Sequence, residues 1–422
     1  MTELRPSPST ASASATLLNS RPFLQGGLLY FPVSYMRGGT STGVVFWEPH
    51  LSPYGDLREE IIRKVMGVPD SGELKGNNQI TGLGRGPATS NKVFIIGPGD
   101  GVRADFNSTL AQLAAEKSTI DWSVNCGNMS AAIPLFLLNN GLLKAGDPIT
   151  EVRIFNTNTS VITDCRVRTP GGLSVIPVDT EIPGVYGAFP GVELSLRSPV
   201  GAKTGQLLPT GRERDVFDGV EVSCVDVAVP MVILRAESLG MRGDETVSSM
   251  NANEALKTRL RSIWVQAGLA MQLKRKGAPM TADDLATSQT IPKVCLVSPP
   301  TQGGHISVRY FTPQESHASL AVTGGCCLAA ACLIPGTTAQ TTAKGLEPLG
   351  SQDTERAVAM ENPAGILRAR VFGRQNADGG FAFPWVAYER SAQLYMDGFF
   401  RIYQPSDSLV QQARALGDSI ST

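Results

Sequence analysis

The stretch Asn125-Cys126-Gly127-Asn128-Met129, followed by the apolar run 130–138, decides the fold, because it places a thiol at the start of a buried helix. The first N–H groups of a helix have no internal partner and carry a partial positive charge, which favours a thiolate and can also bind a carboxylate. Cys126 is therefore a candidate acid or base. The alternative is a small apolar residue before a core helix, since free cysteine often fills core space.

The surroundings of this helix recur in the second half of the chain. The segment 92–98 opens with Lys92 and ends at proline, and the segment 293–299 repeats that pattern from Lys293. Thr323-Gly324-Gly325 and the apolar stretch 326–334 stand where Cys126-Gly127 would recur, and Val222-Ser223 resembles Val33-Ser34. These landmarks keep the same order, which predicts two homologous halves of roughly 190 to 200 residues.

Each half combines short strands with one helix that is apolar all round, at 127–139 and at 324–333. Because such a helix has no face for solvent, we expect strands to enclose it. The predicted domains are a disordered tail at 1–25, an N-terminal domain at 26–215 and a C-terminal domain at 216–422. The last strand or helix is a candidate to return to the first domain. The charged, turn-prone segment 211–215 marks the predicted boundary.

Composition excludes several classes of protein. The chain has 422 residues, of which 42% are hydrophobic, and its net charge of −1 provides no basic surface for nucleic acid or an anionic membrane. Seven cysteines form no C-x-x-C pair, and three histidines have neither zinc nor triad spacing, so no metal is expected. A cytoplasmic protein and a homodimer are the default expectations. A mitochondrial transit peptide is the alternative, because Arg5 and Arg21 punctuate a Ser-rich start.

Six motifs, taken together, resemble the PrpF family from about residue 28 to about residue 400: Met36-Arg37-Gly38-Gly39-Thr40-Ser41, Gly82-Leu83-Gly84 ahead of Lys92, Asn125-Cys126-Gly127-Asn128, 152–159, 204–211 and Ala321-Val322-Thr323-Gly324. That family contains 2-methylaconitate, methylitaconate and aconitate isomerases and 4-oxalomesaconate tautomerase. The resemblance implies the α+β, diaminopimelate epimerase-like fold, in which two similar domains each wrap a barrel-like sheet around a central helix and the active site lies in the cleft between them. It also implies isomerisation of a small unsaturated di- or tricarboxylic acid without a cofactor.

Moving a double bond along such an acid needs one group to remove a proton, another to return it, and donors to hold the charge between the two steps. The resemblance implies that Lys92 and Cys126 are the catalytic pair and leaves open which of them is the base. A lysine is a base near neutral pH only when burial or a nearby cation lowers its pKa from about 10.4. Without the resemblance, Lys92 would be interpreted as a surface lysine at a strand edge. Lys293 keeps that interpretation, with a weak substrate contact as the alternative.

The substrate carboxylates require cationic and N–H donors. Arg37 can bind a carboxylate through two hydrogen bonds, and Gly38 and Gly39 allow close approach of backbone N–H groups, while Thr40 and Ser41 add hydroxyls. The first turns of the two helices supply the other predicted binding residues: Asn125, Gly127, Asn128, Thr323, Gly324 and Gly325. His317 is either a ligand contact or a loop histidine satisfied by the protein itself.

The chain departs from the family pattern at three places. Thr42 replaces a lysine, Asn91 replaces a serine, and Arg85-Gly86-Pro87 replaces a smaller stretch, so the identity of the acid stays open. An epimerase of the same fold is one alternative, but it needs a second thiol where this chain has Thr323, with Cys326 and Cys327 one turn further on. A polycarboxylate-binding accessory protein without activity is the other.

Overall fold

The computed structural model describes residues 20–172, 176–275 and 277–418. The predicted tail at 1–25 lies mostly outside the described residues, and its last part forms a strand. The strands are β1 Phe23–Gln25, β2 Leu28–Gly38, β3 Ser41–Trp47, β4 Lys92–Pro98, β5 Phe106–Leu113, β6 Ile120–Asp121, β7 Ile149–Asn156, β8 Val161–Arg168, β9 Val178–Thr180, β10 Phe189–Arg197, β11 Asp215–Phe217, β12 Val220–Val227, β13 Val229–Arg235, β14 Lys274–Arg275, β15 Ala278–Pro279, β16 Lys293–Ser298, β17 Ile306–Thr312, β18 Glu315–Ser316, β19 Thr354–Asn362, β20 Gly365–Gln375 and β21 Phe381–Ile402.

Short helices connect these strands. The α-helices are α1 Glu48–Leu51, α2 Arg58–Met66, α3 Gly127–Ser130, α4 Ala132–Asn139, α5 Val247–Ala252, α6 Glu254–Ala270, α7 Ala282–Ala286, α8 Val322–Ala331, α9 Thr338–Thr342 and α10 Asp407–Asp418. The described residues also form 3₁₀ helices at Ser52–Leu57, Ala88–Ser90, Pro170–Gly172 and Ala236–Leu239.

The chain forms two compact units with the same order of strand pairing. In unit 1, β2 pairs antiparallel with β3, β3 parallel with β4, β4 antiparallel with β5, β5 parallel with β7 and β7 antiparallel with β8. In unit 2 the series β12, β13, β16, β17, β19 and β20 repeats these five relationships in the same order. The internal repeat and the mixed α+β class predicted from the sequence are therefore confirmed.

Each unit holds a central apolar helix against its sheet. In unit 1, α3 contacts β2 and β3, and α4 contacts β2 and β8. In unit 2, α8 contacts β12, β13, β19 and β20, and its apolar side chains are buried. Amphipathic helices form a second core in each unit, with α2 packed on β2, β3 and β4 in one and α6 packed on β12, β13 and β16 in the other. The parallel strands are thus buried on both faces, as their continuous apolar sequences require.

The division between the units differs from the predicted boundary at 215 and 216. Unit 1 comprises the described residues up to Asp179, together with Phe189–Val192 and the described residues from Ser391 onward, and unit 2 comprises Thr180–Ala188 and the described residues within Glu193–Arg390. The segment 199–215 belongs to unit 2 because the Asp226 carboxylate on β12 accepts hydrogen bonds from the N–H groups of Lys203 and Thr204. The end of the chain belongs to unit 1, because β21 pairs with β2 and α10 packs against β1.

Candidate active site

Cys126 is the N-cap residue of α3. Its sulfur accepts the backbone N–H of Met129 at 3.4 Å, and its thiol lies 3.8 Å from the hydroxyl oxygen of Ser41. The Asn125 side chain accepts the N–H of Cys126 at 2.7 Å, which orients the residue before the helix begins. The thiol of Cys126 therefore caps the first turn of α3.

The helix after Cys126 is interrupted, which the sequence did not predict. The expected single helix at 127–139 is divided into α3 and α4 at Ala131. Pro134 has no N–H with which to bond the carbonyl of Ser130, so the regular bonding pattern fails there. The Ser130 hydroxyl instead donates to the carbonyl of Cys126 at 2.9 Å, which reinforces the first turn.

Lys92 is an interior residue of the sheet in unit 1. It is the first residue of β4, with Gly43 of β3 on one side and Gln112 of β5 on the other, and it is 7% exposed. Its Nζ donates to Oε1 of Gln112 at 2.5 Å. Nε2 of the same amide donates to the carbonyls of Asn91 and Leu113, so the oxygen is the atom left to face the lysine. The interpretation of Lys92 as a surface lysine at a strand edge is wrong.

Strand β3 connects the two predicted proton carriers. Its first residue, Ser41, contacts the thiol of Cys126, and Gly43 pairs with Lys92. Two residues of a strand span roughly 6.6 Å and point to the same face of the sheet. A Cβ on Gly43 would lie 2.4 Å from the carbonyl oxygen of Lys92, so only glycine allows this close approach.

Arg37 is buried where the turn from β2 to β3 begins. Its Nη1 donates to the carbonyls of Gly39 and Ser391, at 2.8 and 3.1 Å, and the Phe189 ring lies 4.5 Å from its guanidinium carbon. Burial lowers the pKa of Arg37 from its usual value. Its Nε and Nη2 have no hydrogen-bond partner among the described residues. The predicted carboxylate contact of Arg37 stays a prediction, and it would use this unpaired edge.

The two glycines of the turn serve packing against α3. A Cβ on Gly38 would lie 2.6 Å from the carbonyl oxygen of Asn128, and one on Gly39 would lie 2.4 Å from the Asn128 side-chain oxygen. The N–H of Gly39 already donates to the carbonyl of Ser391 at 2.9 Å, so it is not available to a ligand in this state. The Asn128 side chain donates to the hydroxyl of Thr40 at 3.2 Å. The predicted residues 37–41 and 125–128 therefore come together in unit 1.

The predicted site residues of unit 2 lie near the start of α8. A Cβ on Gly324 would lie 2.4 Å from the Tyr310 ring, and one on Gly325 would lie 2.9 Å from Leu367, so close packing explains both glycines. Thr323 is half-buried in the first turn of the helix, which no side chain caps. Nδ1 of His317 accepts the N–H of Ser319 at 2.9 Å, as expected of a loop histidine that is satisfied on one side.

The departures from the family pattern lie beside Lys92. The Asn91 side chain, which is buried, donates to the carbonyl of Gly86 at 2.8 Å and so ties two of the altered positions together. The carbonyl of Asn91 also receives the amide of Gln112, which holds the side chain of Lys92. Sequence reasoning missed Gln112, because only the pairing of β4 with β5 shows that it faces the lysine.

All seven cysteines lie in described residues, and six of them are buried. Burial raises the pKa of Cys326 to about 12, and that of Cys327 further still. Cys326 and Cys327, the thiols considered for the epimerase alternative, are thus enclosed in α8. In the described ranges, no set of three or more His, Cys, Asp or Glu side chains could hold a metal ion. None of the described helices combines the length and apolar character needed to cross a membrane.

Several known proteins are similar to this chain in sequence or in structure. 4-Oxalomesaconate tautomerase of Pseudomonas putida is 38% identical over 372 residues, which are 88% of this chain and 96% of that protein. The (4E)-oxalomesaconate Delta-isomerase of Novosphingobium sp. (strain KA1) is 33% identical over 87% of this chain and 96% of its own length. The crystal structure of methylitaconate-delta-isomerase superposes with a TM-score of 0.76 at 28% identity, covering 92% of this chain and 97% of that one.

The similarity to these isomerases over most of its length makes this chain an enzyme of the isomerase class. The chain belongs to the PrpF family, whose model, described as PrpF protein, matches residues 29–403. The family resemblance predicted from the six motifs is confirmed.

Proposed function

We propose that this protein is a cofactor-independent isomerase that moves a carbon–carbon double bond within a small unsaturated di- or tricarboxylic acid. The proposal rests on the positions of the two candidate proton carriers. Cys126 contacts Ser41, and Lys92 pairs with Gly43, which lies two residues further along the same strand, β3. The relatives named above act, by their names, on oxalomesaconate and methylitaconate, which are acids of this type.

The contacts of the two side chains suggest how the roles are divided. The sulfur of Cys126 accepts a backbone N–H from the first turn of α3, which suits a thiolate that removes a proton from the carbon next to the double bond. The electron pair of that C–H bond forms the new double bond, and the charge spreads over the conjugated carboxylate. Lys92 is oriented as a hydrogen-bond donor, which suits it to deliver a proton to the far carbon of the allylic system.

This scheme balances without any added reagent. One proton moves to sulfur and one leaves nitrogen, and exchange with solvent restores both groups before the next cycle. The substrate and product have the same composition, so no oxidant, reductant or cofactor is consumed. Donors around the two residues, among them the Ser41 hydroxyl, hold the charge that develops between the two steps.

A proton NMR time course in D2O tests the proposal. The acids to be compared are cis-aconitate, trans-aconitate, 2-methylaconitate, methylitaconate and 4-oxalomesaconate. We expect at least one of these acids to take up deuterium and to show a shifted or inverted double bond. Deuterium uptake and the change in the double bond should both be lost in the Lys92→Ala variant and in the Cys126→Ser variant. Activity that survives both substitutions would exclude this pair as the proton carriers.

A further inference from the structure

Unit 2 contains a cavity of about 200 Å³ where its parallel strands β13 and β16 end. Arg235 is the last residue of β13 and pairs with Val297, and Ser298 is the last residue of β16. Lys293 starts β16, roughly 16 Å away along the strand. Its side chain is half-buried, so its interpretation as a surface lysine is wrong. The cavity is therefore separate from the position that corresponds to Lys92 in the internal repeat.

Three cations line this cavity, and each comes from a different segment of unit 2. Arg235 ends β13, Arg242 lies in the turn after the 3₁₀ helix that follows, and Lys344 follows α9. Nη2 of Arg235 donates to the hydroxyl of Thr341 at 3.1 Å, which orients the guanidinium and leaves Nε and Nη1 without a hydrogen bond among the described residues. In the same part of the chain, Nζ of Lys344 has no partner.

Two carboxylates are close to these cations and leave most of their donors available. Glu237 also lines the cavity, but its carboxylate is 3.9 Å from Nη1 of Arg235, which is beyond hydrogen-bonding distance, and its side chain is 78% exposed. Asp244 accepts Nε of Arg242 at 2.9 Å, so neither Nη atom of that arginine has a hydrogen-bond partner in the described ranges. The side chains that line the cavity thus bring three positive charges and one negative charge.

The turn that carries Arg242 is fixed over the end of β16. The Glu245 carboxylate accepts the N–H groups of Arg242 and Gly243, at 2.7 and 2.9 Å. Arg309 donates to the Glu245 carbonyl at 2.8 Å and places a positive charge close to that carboxylate. Gly243 has a φ of +89°, and a Cβ there would overlap the hydroxyl oxygen of Ser298, so only glycine allows this approach. The Ser298 hydroxyl lines the cavity and has no hydrogen-bond partner within the described part of the chain.

The internal repeat indicates that the cavity is particular to unit 2. By strand register, Trp47 of β3 stands in the place of Arg235, and Gly97 of β4 stands in the place of Ser298. In unit 1 a Cβ on Gly97 would lie 3.0 Å from the Cβ of Glu48. Unit 1 therefore has an aromatic ring and a carboxylate side chain at these places. The shared fold does not require the arginine and the hydroxyl of unit 2.

We propose that this cavity binds a small phosphate monoester. Its donors converge from several segments, which suits the tetrahedral oxygens of a phosphate group better than the planar oxygens of one carboxylate. Met241, Val297 and Pro299 make part of the lining apolar, which suits an organic group attached to the phosphate. The volume is below the roughly 300 to 1,000 Å³ of sites for drug-sized molecules, so the organic group is small. Binding at this cavity is independent of the proposed isomerisation.

Titration calorimetry with phenyl phosphate, at about 0.15 M salt to screen distant charges, tests the site. Arg235→Met should weaken binding about tenfold, the effect of losing one charge-assisted hydrogen bond, and Lys344→Met, at an exposed position, about threefold. Glu237→Gln should bind more tightly than the unchanged protein, because it removes the carboxylate of the lining. Lys274→Met, an exposed lysine of unit 2 outside the lining, is the matched control and should bind like the unchanged protein. Unchanged affinity in both Arg235→Met and Lys344→Met would overturn the proposal.

Two further probes identify the kind of anion. Inorganic phosphate should bind about tenfold more weakly than phenyl phosphate, because it makes no contact with the apolar lining. Equal affinity of the two would exclude an ester as the ligand. Tricarballylate provides three carboxylates and no phosphate, so its affinity should not change in Arg235→Met. If Arg235→Met weakens tricarballylate more than phenyl phosphate, the site is one for carboxylates and the assignment to phosphate is overturned. None of these results depends on whether an acid is isomerised.

Discussion

Nζ of Lys92 and Oε1 of Gln112 are 2.5 Å apart, and the amide of Gln112 is turned by two backbone carbonyls so that its oxygen faces the lysine. A side chain that holds a proton carrier in this way should matter for rate more than for binding. Gln112 is therefore a positioning residue in the proposed mechanism.

Gln112→Leu should lower kcat about 100-fold, because a small displacement of a catalytic group has an effect of that order. KM should change little, since the leucine leaves the substrate-binding donors in place. Gln266→Leu, an exposed position on α6, is the control and should keep full activity. A Gln112→Leu variant with unchanged kcat would show that Lys92 does not depend on this amide.

The thiol of Cys126 combines a capping role with the proposed chemistry, and two substitutions separate them. Cys126→Ser keeps an acceptor for the N–H of Met129 and should unfold at the same urea concentration as the unchanged protein, while its isomerisation rate falls by a factor of about 10² to 10⁴. Cys126→Ala should lose about 1 kcal/mol of stability relative to the serine variant. Urea unfolding and deuterium uptake measure the two effects, and a fully active serine variant would contradict the assignment.

The close packing of the turn on α3 predicts that Gly38 tolerates no side chain. In Gly38→Ala the new methyl group would meet backbone atoms of Asn128 and Met129, at 2.6 and 2.7 Å, so the helix carrying Cys126 must shift. We expect a loss of about 1 to 3 kcal/mol in the free energy of unfolding, together with reduced kcat. Gly398→Ala on β21, where a Cβ has no atom within 4 Å, is the control. If both variants are equally stable and active, the packing argument fails.

Burial of Lys293 predicts a specific dependence of stability on pH. Its pKa is about 8 in the folded protein and 10.5 without burial, so the unfolded chain binds a proton between these values while the folded chain does not. This group therefore makes the protein progressively less stable as pH falls from about 10.5 to about 8, and the penalty is constant below that range. Lys293→Met should be more stable than the unchanged protein at pH 7, and its advantage should shrink as pH rises toward 10.5. Urea unfolding at several pH values checks this difference, and a difference that does not vary with pH would exclude it.

Local patterns in the sequence predicted the features that depend on neighbouring residues. The thiol before an apolar run predicted a capped helix, and the two lysine-led strands predicted the internal repeat. Features that depend on pairing between distant residues were not predictable in this way. Gln112 faces Lys92 only through strand register, and the contact of Arg37 with Ser391 joins residues from opposite ends of the chain. The boundary at 215 was misplaced because an irregular segment, interpreted as a linker, is held by a buried carboxylate of β12.

Among the seven thiols of the chain, the six buried ones are shielded from reagents in water, and Cys126 is the one that is partly exposed. The folded protein consequently has a natural handle for labelling. Iodoacetamide should modify a single sulfur per chain, and the amount consumed should count the folded chains with a reduced Cys126 in a preparation. A fluorophore attached there would report on the start of α3 without any cysteine having to be removed by mutation.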